Sequence, residues 1–210
     1  MMTRIVFLFT AAAAASYAQQ WEFGGLGGGS FLNTVSVTAP AGSATAGFAN
    51  GAAFGGFVGY NTYKHIGGEI HYSYMPTNLK LSANGSEATF NGNSHAIHYD
   101  VIFRTSKKDS KAQAYAAVGG GVKIFRGTGS EHAAQNLSNY GYLTKTQEFK
   151  PMGTVAVGVK VRISPRVFLR TEVRDYITAF PSQVIAAPPG VKYGSLLNDI
   201  VPMVGIGIDM

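Results

Sequence analysis

A chain of 210 residues suits one sizeable domain, and its lack of cysteine excludes a disulfide framework and any thiolate metal site. Hydrophobic residues make up 46% and charged residues only 13%, and the 27 glycines lie well above the ordinary usage of about 7%. The formal charge of +6 is modest and is not gathered into one long basic run, which argues against a nucleic-acid partner.

The first twenty residues, MMTRIVFLFTAAAAASYAQQ, place a cation at Arg4 before an apolar run over 5–15 and a small-x-small site at Ser16, Tyr17 and Ala18. This order predicts a Sec-type signal peptide over 1–18, cleaved before Gln19, and leaves 19–210 as one domain. The apolar run falls short of the roughly 20 residues of a spanning helix. No later segment reaches 18 uninterrupted apolar residues, so membrane residence would require strands.

Eight segments then carry strand composition: 20–32, 52–63, 66–77, 93–105, 112–125, 151–163, 166–178 and 199–210. The connections alternate without exception, long at 33–51, 78–92, 126–150 and 179–198, short at 64–65, 106–111 and 164–165. Consecutive antiparallel strands put successive connections at opposite ends, so every short turn falls at one end and every long loop at the other. That asymmetry belongs to bacterial outer-membrane barrels. The long connections are rich in Gly, Asn, Ser and Thr, as in SANGSEATFNGNS at 82–94, and are expected to be solvated loops. In the last of them, Pro181, Pro188 and Pro189 are expected to exclude regular strand pairing.

Within the segments the side chains sort by period two. Ile66, Ile70, Tyr72 and Tyr74 oppose Glu69, His71 and Ser73; Ile97, Tyr99, Val101 and Phe103 oppose His98, Asp100 and Arg104. Val118, Val122 and Ile124 oppose Tyr115, Gly119, Gly121 and Lys123. In TVAVGVKVRI, Val155, Val157, Val159 and Val161 oppose Thr154, Ala156, Gly158, Lys160 and Arg162. Arg170, Glu172 and Arg174 share a face of the seventh segment, and Ile200, Val204, Ile206, Ile208 and Met210 share one of the eighth.

Burying the valines would leave a water-facing coat of Gly119, Gly121, Ala156, Gly158, Gly205 and Gly207 with sparse charges, a poor soluble surface. Inside a narrow barrel the same small residues make room for long polar side chains. The apolar faces are therefore read as outward, with Val155, Val157, Val159, Val161, Ile206 and Ile208 facing lipid. Tyr60, Tyr72, Tyr74, Tyr99, Phe103 and Phe168 are assigned to interfacial girdles. The fold predicted is all-β: an eight-stranded antiparallel up-and-down transmembrane β-barrel, closed by pairing the last segment with WEFGGLGGGSFLN so that no edge meets hydrocarbon.

On the signal, the segments, the loop asymmetry and the alternating RVFLRTEVRDYI at 166–177, the chain resembles the outer-membrane β-barrel superfamily of small OmpA/OmpX-like barrels. The resemblance implies a monomer in the bacterial outer membrane, inserted by the outer-membrane assembly machinery. It also implies an aromatic terminal residue, where this sequence has Met210.

The inward polar set comprises Glu69, His71, His98, Asp100, Arg104, Lys123, Lys160, Arg162, Arg170, Glu172 and Arg174. Charges in a confined lumen must pair, so the set is read as a hydrogen-bonded plug. A narrow gated pore, with Glu172 exchanging Arg and Lys partners, is the alternative. The pairs His71/His98 and Glu69/Asp100 both sum to 169, so one register would set two imidazoles and two carboxylates side by side. Those types suit a divalent metal, yet a satisfied His–acid pair is the plainer reading, and no metal or cofactor is assigned.

No GxSxG, HExxH or Walker pattern occurs, and the glycine runs lie inside strands with no helix following. Some barrels of this size are lipid-modifying enzymes; His95 and His132 are the nearest candidates for such a site. The reading adopted is non-enzymatic, with outer-membrane lipid around the barrel and an extracellular partner meeting the loops. A small porin and a secreted, soluble lipocalin-like binder are its alternatives.

Overall fold

The computed structural model describes residues 21–61, 63–105, 110–132 and 134–210. The expected signal peptide, 1–18, lies outside them. Fifteen strands follow in order: β1 (Trp21–Leu32), β2 (Thr34–Ala39), β3 (Gly42–Phe48), β4 (Gly51–Tyr60), β5 (Ile66–Met75), β6 (Leu79–Ala83), β7 (Ser86–Phe90) and β8 (Gly92–Arg104); then β9 (Ala112–Gly127), β10 (Tyr142–Leu143), β11 (Gln147–Arg162), β12 (Val167–Ala179), β13 (Ile185–Ala186), β14 (Lys192–Tyr193) and β15 (Leu196–Asp209).

Eight of them close a barrel in the order β1-β15-β12-β11-β9-β8-β5-β4, every pair antiparallel and every neighbour consecutive around the ring. These are the eight segments of the sequence, displaced by a few residues at their ends. Closure runs through Phe23↔Ile208 and Gly27↔Val204, and the Met210 amide donates to the Trp21 carbonyl at 3.0 Å. The seam pauses at Gly29 and Ser30, opposite Val201 and Pro202, whose ring supplies no N–H.

The outward faces are apolar and exposed along β5, β8, β11, β12 and β15. Val157, for example, is 62% exposed and Ile206 54%. Such a wall is intolerable in water and suited to hydrocarbon. Phe168 departs from its expected place in a girdle: it is 3% exposed and points inward, its ring 6.3 Å from Phe57 and 5.1 Å from the Lys160 ammonium. Gly207 makes that possible, since a Cβ there would stand 2.3 Å from the Phe168 ring. Gly158 plays the same part beneath Tyr115, at 2.5 Å.

The long connections correct the expectation of solvated loops. They fold into a five-stranded sheet, β14-β2-β3-β6-β7, with β10 and β13 pairing beside it. Val37, Ala46, Leu79, Leu81, Ile185 and Leu197 are almost fully buried in its core, which continues into the barrel mouth through Phe48 stacked on Phe125 at 5.0 Å. Composition hid this because the apolar residues are few and alternate with Ser, Thr and Gly, as in TVSVTA and LKLSA. The β6–β7 hairpin turns on Asn84 (φ 50°) and Gly85 (φ 78°), the left-handed pair of a two-residue turn. Even the proline-rich connection contributes β13 and β14, because its prolines fall outside the two short pairings.

Tyr193 ties β14 to this core. Its hydroxyl faces the carbonyls of Tyr140 (3.0 Å) and Ala186 (3.1 Å), and burial pushes its pKa up to about 12. A folded-state value above the ordinary phenol near 10 means that the contribution is whole below pH 10 and is lost as pH rises through 12. In alkaline absorbance titration, Tyr193→Phe is expected to remove one late-ionising tyrosine. An unchanged late step in that variant would refute the assignment.

Candidate functional site

The barrel interior gathers the chain's most constrained chemistry. β5, β8, β11 and β12 each alternate a large polar side chain inward, and the strand pairing sets these at matched heights. Arg170 lies at the centre with no solvent exposure. It grips Glu69 with both terminal nitrogens (2.6 and 2.9 Å), donates to Glu172 (2.7 and 3.0 Å) and donates through Nε to the Tyr115 hydroxyl (2.7 Å). Tyr115 in turn donates to Glu172 at 2.7 Å. The guanidinium carbon stands 4.3 Å from the Phe57 ring centre and 4.9 Å from that of Tyr115, within cation–π reach of both.

One step further along the axis, Arg174 donates to Glu172 (3.1 Å), Asp100 (2.5 Å) and Thr154 (2.9 Å). His98 Nδ1 lies 2.9 Å from Asp100, and His71 Nε2 lies 3.7 Å from Glu172. Beyond them Ser73 meets the Tyr176 hydroxyl at 2.8 Å, and Lys123 pairs with Asp199. Toward the short-turn end Lys160 pairs with Glu22, which also accepts from Asn61, and Arg162 pairs with Asp209 at 2.6 Å.

All eleven predicted polar residues therefore project inside, ten of them at 6% exposure or less; the Arg162 side chain is 19% exposed at the rim. Arg104 is buried with its guanidinium nitrogens unpartnered, in the field of Glu22, Glu69 and Asp209. Sequence reasoning missed Glu22, Asp199 and Asp209. Glu22 opens a glycine-rich strand with little alternation, while Asp199 and Asp209 lie near the ends of the last segment. Their signal was arithmetical: without them the inward cations outnumber the anions.

The register Glu69↔Asp100 and His71↔His98 is the one in which both pairs sum to 169. The imidazoles stack, ring centres 5.0 Å apart and planes 19° apart. The carboxylates, however, turn to Arg170 and Arg174, so cations occupy the positions a metal would need. Among the described residues no group of three or more His, Asp or Glu side chains could hold a metal ion. Glu172 bridges two arginines, and Lys123 and Lys160 pair with Asp199 and Glu22.

His95 lies on the outer wall, 2.8 Å from the Tyr72 hydroxyl, and His132 lines an external cleft of about 370 Å³ with Glu87, Phe90 and Gln135. Ser73 comes within 3.4 Å of His71 Nδ1, but both are fully buried, out of reach of a substrate.

A closed eight-stranded barrel with an apolar coat, a charged interior and unequal ends is the geometry of an outer-membrane protein. The family model described as outer membrane protein beta-barrel domain matches residues 5–207. The chain belongs to this family. Its fold resembles OprG from Pseudomonas aeruginosa, with 11% identity, 91% of this chain and 97% of that one covered, and a TM-score of 0.57. Neisserial surface protein A is similar in the same sense, with 11% identity, coverage of 90% and 97%, and a TM-score of 0.53. At these identities the likeness is one of fold. Among curated proteins no sequence matches it. Family membership places the chain in the bacterial outer membrane and overturns the soluble lipocalin-like alternative, whose interior would be apolar and whose coat would be polar.

Proposed function

We propose that this protein is a non-enzymatic, monomeric outer-membrane barrel whose lumen is sealed by side chains and whose external sheet is the surface that meets extracellular partners. A Sec-type signal delivers it, and the outer-membrane assembly machinery inserts it with its short turns in the periplasm. The observation that carries the reading is the pairing of the charge in the barrel interior, with Arg170, Arg174, Lys123 and Lys160 each held against a carboxylate and buried to 6% exposure or less. Ions entering such a lumen would have to displace several charge-assisted bonds at once. Above it, the five-stranded sheet with its own apolar core supports a rigid external platform, on which binding residues keep their places better than on mobile loops.

Planar-bilayer recording tests the seal. The purified protein is expected to add no stepwise current above the lipid baseline. Reproducible single-channel steps would replace the plug with the gated-pore reading.

A further inference from the structure

The chain's charge is distributed by location. Inside the barrel, Arg104, Lys123, Lys160, Arg162, Arg170 and Arg174 are balanced by Glu22, Glu69, Asp100, Glu172, Asp199 and Asp209. Toward the long-loop end, Lys80, Arg126, Lys145, Lys150 and Lys192 are nearly balanced by Glu87, Glu131, Glu148 and, within barrel strand β12, Asp175. Among the described residues the short connections carry Lys64, Lys111 and Arg166 and no Asp or Glu. Among the described residues the excess cations therefore stand mostly at the short-turn end, the periplasmic face of the membrane.

Directly above that end the outer wall is not smooth. An open groove of about 820 Å³ crosses it, lined by Phe103, Ala114, Ala116, Val157, Val173 and Pro202 among others, with Thr105 at its lower rim. The pairings Phe103↔Ala116, Ala116↔Val157, Val157↔Val173 and Val173↔Pro202 form one continuous row over β8, β9, β11, β12 and β15. Its floor is low because Ala114 and Ala116 stand beside the larger Phe103 and Val157. Five strands at about 4.8 Å spacing give it a span of roughly 19 Å. The row starts at Phe103, one residue from the short-turn end of β8, and reaches Pro202 midway along β15, so it climbs through one leaflet, whose hydrocarbon depth of about 15 Å suits one acyl chain. Lys111, just before β9, and Arg166, at the end of the β11–β12 turn, are exposed at that end, their carbonyls fixed by the amides of Arg162 and Asp209 at 2.8 Å.

We propose that this groove seats an acyl chain of an anionic phospholipid of the periplasmic leaflet, with its phosphate meeting Lys111 and Arg166. The groove supplies shape, and the one-sided charge selects the headgroup. The idea depends on outer-membrane residence but not on whether the lumen is sealed.

The test places the full-length protein in lipid nanodiscs of equimolar phosphatidylglycerol and phosphatidylcholine with identical acyl chains, then releases it for native mass spectrometry. One retained lipid is expected. At about fivefold per cation near an anionic surface, two cations favour phosphatidylglycerol by about 25-fold. Ala116→Phe fills the groove and is expected to lose the retained lipid while keeping heat-modifiable gel migration; should that variant fail to fold, Ala114→Leu probes the same floor. Lys111→Gln combined with Arg166→Gln is expected to keep a lipid and lose the headgroup preference. No retained lipid, equal retention of both headgroups by the unaltered protein, retention unaffected by a folded groove-filled variant, or a second copy of the chain seated there would each overturn the proposal.

Discussion

Arg170→Ala is expected to destabilise the protein by about 3–5 kcal/mol, measured by urea unfolding of the vesicle-inserted protein. The side chain has no exposure, and its loss strands the buried Glu69 and leaves the buried Glu172 with Arg174 and Tyr115 as its remaining donors. Most of the cost lies in the orphaned Glu69 carboxylate. Glu69→Gln added to Arg170→Met is accordingly expected to recover a large part of it. Arg170→Lys is expected to recover little, because an ammonium cannot span the two Glu69 oxygens in a bidentate grip. A loss below about 1 kcal/mol for Arg170→Ala would show that water, not protein, satisfies this network.

Val157→Arg tests the opposite face and is expected to cost about 2–4 kcal/mol in lipid. Val157 is the most exposed of the β11 valines at 62%, paired with Ala116 on one side and Val173 on the other, well away from either strand end. A guanidinium there must bend the bilayer or reach for an interface. In micelles, which admit water more freely, the cost is expected to be smaller, so the difference between the two media reports lipid contact itself. Near-neutral stability in vesicles would mean that this wall does not face hydrocarbon.

Taken together, the two variants bear on why one strand carries both kinds of residue. Lys160 and Val159 are neighbours in sequence, yet one is buried against Glu22 and the other lies on the wall. Period two produces that separation whatever the tertiary context, so face assignment was legible in TVAVGVKVRI before any fold was known. Which face turned inward needed only the observation that Ala156 and Gly158 are too small to coat a soluble protein.

The pairing partners were less legible. Strand alternation places Glu172 inward but does not say whether it meets Arg170, Arg174 or a lysine, since that depends on heights across the lumen between strands far apart in sequence. The same limit concealed the link between Lys160 and Glu22, 138 residues apart. Phe168 was misplaced for a related reason: an aromatic near a strand end reads as a girdle residue until Gly207, on the adjacent strand, is seen to leave an inward space for its ring.

By itself, the sequence determined the number of barrel strands, their order, the two faces of most of them and the inequality of the two ends, because each follows from local alternation and connection length. Only the tertiary structure decided that the long connections form a second sheet with its own core. Val37, Leu81 and Ile185 lie in three separate connections, each too weakly apolar to declare itself. Their burial is a property of the assembled sheet, where distant segments remove each other's apolar faces from water, and no single segment carries that information.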